Sequence, residues 1–183
     1  MAAGRPGTAR SDSTAPACCS GWSASANTRA YLLDFTRHTP RDFITLLNYI
    51  QKEVKGDGFV GTTEIQQGIK AYSTNYFLPE IRDELNGYLV PEAIDVIALL
   101  SALGKREFTM TQLVSFAEGF NRKLEVDLPK ALAHLFECSA VGMHDNTSGQ
   151  SWFTVKYRNR HAVLDLGKKL VLHKGLVKAL NLR

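Results

Sequence analysis

Cysteine is scarce in this chain. Cys18, Cys19 and Cys138 are all there are, and no Cys-x-x-Cys pair occurs. That excludes a disulfide framework and a zinc ribbon, and a reducing, cytoplasmic setting is expected. Long apolar runs are missing as well. None approaches the roughly 18 residues of a membrane-spanning helix, so no membrane partner is expected. The front of the chain also lacks the apolar stretch of a secretory signal. Acidic side chains are missing from the other end. Residues 150–183 hold eight Lys or Arg and a single acid, Asp165, whereas residues 29–149 hold 12 basic against 16 acidic side chains. The formal charge of +4 therefore conceals a basic tail on a mildly acidic body. Such an asymmetry suits an anionic partner at that end, either nucleic acid or an acidic protein surface.

What is present suffices for a core, because 44% of the 183 residues are hydrophobic. The expected fold class is α+β, mostly α. Residues 1–28 are dominated by Ala, Ser, Gly, Thr and Pro around the lone Trp22. They bury too little surface to offset the entropy of ordering, so they are expected to be a disordered leader. The simplest account of it is accidental translation ahead of a truncated gene.

Residues 29–90 are expected to form a small helical unit. A short helix carrying Tyr31, Leu32, Leu33 and Phe35 ends near His38. Thr39-Pro40-Arg41-Asp42 then combines a capping hydroxyl, a first-turn proline and a carboxylate at the positive end of a helix. Phe43, Ile44, Leu46, Leu47 and Ile50 mark its buried stripe. A further helix from Thr62 or Thr63 is expected to kink or divide at Pro79.

Residues 91–162 read as helix, short extended link, helix, helix and hairpin. Thr109 and Gln112 match a capping box. Leu128, Leu132, Leu135 and Phe136 line one face of the last helix. Phe153, Val155 and Tyr157 alternate with Thr154, Lys156 and Arg158 as in a half-buried strand, and Asp145 to Gly149 supply the turn. That outline is a winged helix. Residues 163–183 are expected to be a single basic helix docked through Leu166, Leu170, Leu172 and Leu176.

Two stretches carry a family resemblance. Thr39 to Ile50 resembles the helix of the lid subdomain in AAA+ and STAND-type P-loop ATPases, which a Pro-Arg step opens. Trp152 to Asn159 and His173 to Asn181 are similar to the C-terminal end of bacterial ATPases of that type. The resemblance implies a lid followed by a winged helix, and it implies that Arg41 occupies the sensor position that contacts nucleotide phosphate. It also has a gap. A phosphate-cradling loop needs a lysine after its last glycine. The nearest pattern, Gly56 to Gly61, is followed by Thr62 instead and is preceded by a helix. ATP hydrolysis is therefore not expected, and Arg41 is expected to be idle, paired with Asp42 or a nearby carbonyl.

The last helix before the hairpin, the one a winged helix uses for recognition, offers few groups for reading bases. Its exposed positions are expected to be Lys130, Ala133, His134, Glu137 and Cys138. The cations at hand for a nucleic acid or protein partner are Lys130, Lys156, Arg158, Arg160, Lys168, Lys169 and Lys174. His134 and Cys138 stand at i, i+4, but no second pair accompanies them, so no metal and no cofactor are expected. The leading expectation is a non-catalytic regulatory or interaction module of ATPase origin. Its partner would be another protein or a separate ATPase core. The alternatives are a weakly specific DNA-binding domain and, only with further upstream sequence, an ATPase.

Overall fold

The computed structural model describes residues 26–56, 60–86, 92–120, 127–145 and 152–182. The leader up to residue 25, part of the glycine-spaced segment, and the hairpin tip lie outside the described residues. The fold class is the expected one, mostly helical with a small antiparallel sheet.

Helix α1 covers Ala26–Leu33, so helix begins inside the segment expected to be leader. Helix α2, Pro40–Glu53, starts as its sequence dictates, with the Thr39 hydroxyl accepting from the Asp42 amide at 3.1 Å. Its buried stripe is Asp42, Leu46 and Ile50, spaced by four. Ile44 falls on the other side and is 57% exposed, contrary to expectation. A residue two positions from a buried one lies about 200° around the helix. The polar Asp42, buried for its partners, sets the orientation that turns Ile44 outward.

Helix α3, Thr62–Tyr72, passes through a π turn at Ser73–Phe77 directly into α4, Leu78–Asn86. The wider turn stands where Pro79 needs room for its ring and has no amide to donate. Helices α2 and α3 pack closely because position 68 has no side chain. A Cβ on Gly68 would lie 2.5 Å from Ile50 Cα and 2.8 Å from its amide nitrogen. Gly68→Ala would gain about 1 kcal/mol of helix propensity, but it must push two backbones apart. The expected result in urea denaturation is a net destabilisation of about 2 kcal/mol.

Helix α5, Glu92–Leu103, leads to strand β1, Glu107–Phe108, and then to α6, Met110–Glu118. Both reciprocal bonds of the Thr109–Gln112 capping box are present at 3.2 Å. Helix α7, Leu128–Glu137, is capped by Asp127 and buries Leu128, Ala131, Leu132, Leu135 and Phe136. Strand β2, Val141–Asp145, pairs antiparallel with β3, Trp152–Thr154, with His144 opposite Phe153. The hairpin is thus as expected, but its second strand stops early. The Val155 carbonyl accepts from the amides of Arg158 and Asn159, and the Tyr157 amide donates to Ser139 Oγ. Tyr157 and Arg158 therefore sit in a turn rather than on a pleat.

The tail departs furthest from expectation. It is not one helix but a turn, strand β4 (Leu170–Leu172), and the short helix α8 (Lys174–Ala179). The sheet order is β1-β4-β2-β3, so β4 fills the place between two otherwise unpaired edges. An apolar run buried on both faces suits such an inner strand. The Asp165 carboxylate bonds the Gly167 amide at 2.9 Å, forming a turn that stops any helix before it starts.

One apolar core runs from Leu32 through Leu46, Leu85, Leu100 and Leu135 to Leu176. It crosses both expected boundaries, 90/91 and 162/163, so the lid-like unit, the hairpin unit and the tail do not have separate interiors. Helix α8 packs on the π turn and α3, returning the end of the chain to its first helices.

Candidate functional site

Arg41 is 71% exposed and pairs with Glu80 at 2.9 Å, its guanidinium 5.7 Å from the Tyr76 ring. Asp42 is not its partner. That carboxylate is 1% exposed and belongs to Arg37, whose Nε lies 3.0 Å away. It also accepts from the Tyr76 hydroxyl at 3.1 Å and from the Arg37 amide at 3.3 Å. Arg37 extends the cluster to Glu84 and Glu80. Burial opposes its charge, but Asp42 and Glu84 more than offset that, so its pKa rises. Arg41 thus lies at the rim of a structural ion cluster that joins α2 to α4.

The tail cations meet acids of the body. Asp34 accepts from Arg158 at 3.2 Å and from Lys174 at 2.5 Å. Lys156 reaches Glu137 at 2.9 Å and the Ala162 carbonyl at 3.1 Å, above the Phe136 ring. Lys169 bonds Glu107 at 2.6 Å. Lys168 lies with Lys169 and His144 around a shallow pocket. Arg160 and Lys130 are exposed and have no carboxylate partner among the described residues. The basic tail on an acidic body is therefore largely a pairing of the chain with itself.

Beside Asp34 stands a buried histidine. The Gly175 amide donates to His173 Nδ1 at 3.1 Å, which leaves Nε2 to donate to the Thr36 carbonyl at 3.2 Å. The ring stacks on Phe77 at 4.8 Å and meets the edge of Tyr157, which in turn stacks on His38 at 4.6 Å. Burial drives the His173 pKa down to about 4, although the Thr36 carbonyl pulls the other way. The neutral ring is the form this geometry holds.

On α7, Ala133 and Glu137 are exposed as expected, but Cys138, which caps its C-terminal end, is buried. Burial, reinforced by the Glu84 carboxylate, pushes its thiol up to about 12. A thiol so far from ionising is a poor metal ligand at neutral pH. Among the described residues no three His, Cys, Asp or Glu side chains gather as a metal site.

The spacing of the sequence did not single out Arg106, next to β1. It shares a cavity of about 330 Å³ with Arg158, Lys174, Phe153 and Tyr157. Its only linear signal was a cation next to a short extended segment, which many surface arginines share. Against protein-family models, curated proteins and solved structures alike, the chain finds no match.

Proposed function

We propose that this chain is a non-catalytic regulatory or interaction module, derived from the C-terminal lid and winged-helix portion of a P-loop ATPase. It would act by docking on a protein partner such as an ATPase core. The observation that carries this reading is the self-pairing of the cations a nucleic acid would need. Lys156, Arg158, Lys169 and Lys174 each hold a carboxylate of the chain's own body. Moving any of them to a phosphate would forfeit an existing pair, so little net attraction is gained. The order of elements from α5 to β3, helix, strand, helix, helix and hairpin, is compatible with the proposed ancestry.

The test sets this against the nucleic-acid and nucleotide alternatives. Fluorescence anisotropy with a labelled DNA duplex, titrated across salt, reads the number of phosphate contacts. Lys130 and Arg160 supply about two, so any binding should be weak, with a slope of log K against log salt near −1.8. Neutralising Lys156, Arg158 and Arg160 together should lower that slope by only about 0.9, the share of Arg160. Calorimetry with Mg-ATP should show no saturable binding. A slope steeper than about −4, or ATP binding removed by Arg41→Ala, would sink the proposal.

A further inference from the structure

Two neighbouring cavities share the side chains of Arg106 and Lys174. One, of about 330 Å³, opens over the sheet against Phe153, Val155 and Tyr157. The other, of about 490 Å³, runs between α1 and α8 and includes Lys70 and Lys178. Together they form a groove into which five cations project. Asp34 is its one carboxylate among the described residues. Arg158 and Lys174 both turn to that carboxylate, and Lys178 bonds the Gln66 side-chain oxygen at 3.1 Å. Arg106 has nothing comparable. Its guanidinium lies 5.8 Å from the centre of the Phe153 ring, its Nε is buried without a hydrogen-bond partner, and no carboxylate pairs with it among the described residues.

That combination is unusual for a folded chain. Buried donors nearly always find an acceptor, and a donor left over calls for an explanation. A flexible surface cation could turn to water, but Arg106 is held against Phe153 with its Nε withdrawn from solvent. An acceptor that suits this guanidinium fork is anionic or strongly accepting. It must also be small, because the adjoining cavity is of ligand size, and Phe153, Val155 and Tyr157 give it one apolar wall.

We infer that this groove binds a small molecule carrying a phosphate or carboxylate head on an aromatic or similarly apolar body. The head bonds the terminal guanidinium nitrogens of Arg106, with Lys174 adding charge. The body lies over the sheet against Phe153, Val155 and Tyr157. Lys70, on the far side, adds long-range attraction without a direct contact. The site does not depend on the interaction reading, since neither docking to a protein nor absence of DNA binding requires it.

Titration of the full chain with phenyl phosphate, benzoate and inorganic phosphate tests it, using calorimetry for affinity and NMR for location. At least one aromatic anion should bind saturably and shift the Arg106 Nε–H resonance. Whichever of phenyl phosphate and benzoate binds tighter identifies the head group. Inorganic phosphate should bind at least tenfold more weakly than phenyl phosphate, because it leaves the apolar wall unused. Arg106→Gln should raise the dissociation constant at least tenfold, whereas Lys130→Gln on α7 should leave it within twofold. If Arg106→Gln folds poorly, the Nε–H shift in the native chain decides the matter. Failure of both aromatic anions to bind, binding that leaves the Arg106 resonance unmoved, or equal affinity for inorganic phosphate would each overturn the inference.

Discussion

Asp42→Ala should destabilise the chain by about 3–5 kcal/mol, the cost of stranding a buried charge when its partner is removed. The side chain is 1% exposed and Arg37 only 14%. Removing the carboxylate leaves the Arg37 guanidinium with Glu84 and Glu80, both nearer to water. It also strips an acceptor from the Tyr76 hydroxyl and from the Arg37 amide. A domain of this size has about 5–15 kcal/mol of stability in all, so the variant should unfold at a much lower urea concentration. Arg41→Ala, one residue away, removes a pair whose arginine is 71% exposed and should cost less than about 1 kcal/mol. Near-equal midpoints for the two variants would show that the buried cluster contributes no more than a surface pair.

A second large effect is expected in acid. His173 has a folded-state pKa of about 4 against an ordinary 6.5, burial being the main cause. Between those values the unfolded chain takes up a proton that the folded chain refuses. The stabilisation from the neutral ring is therefore complete above about pH 6.5 and drains away as pH falls toward 4. The loss runs at up to about 1.4 kcal/mol per pH unit, roughly 3 kcal/mol across the window. The surrounding charges act in both directions, since His38 and Arg37 disfavour the proton and Asp34 favours it. Carboxylates elsewhere titrate over the same range, so the informative quantity is the difference from His173→Asn. That variant retains a side-chain acceptor for the Gly175 amide but cannot ionise. Urea denaturation at pH 7, 6, 5 and 4 should show the native chain losing stability faster than the variant. Parallel curves would mean that His173 protonates without hindrance in the folded state.

Both effects rest on residues whose importance was hard to see in the linear chain. Asp42 was legible as a helix-start carboxylate, and the Thr39 cap formed as its spacing dictates. Nothing local could show that the carboxylate would be buried against Arg37, or that Arg41 would turn to Glu80 instead. His173 was legible only as part of an apparent helix. Its burial depends on Phe77, Tyr157 and Thr36, which stand far from it in sequence. The candidate partner contacts were legible as charges but not as free charges. Arg158 meets Asp34 across 124 positions, a separation at which no spacing rule operates.

The sequence by itself determined what short-range chemistry controls. It set the starts of α2, α6 and α7 through their capping side chains, the apolar face of α7, the β2–β3 hairpin and the mostly helical α+β class. Each of these depends on residues no more than a few positions apart, or on one periodicity carried through a single element. The tertiary structure decided the rest. Leu166 and Leu170 are four apart, as are Leu172 and Leu176, spacings that fit a helix, yet Leu170–Leu172 became a strand because β1 and β2 each left an edge unpaired. Backbone hydrogen bonds along two edges outweigh a weak helical pattern interrupted by Gly167. The same placement carried the tail cations onto Asp34, Glu107 and Glu137 and turned an apparent basic arm into internal ion pairs. It also left Arg106 over a cavity without a carboxylate paired to it among the described residues.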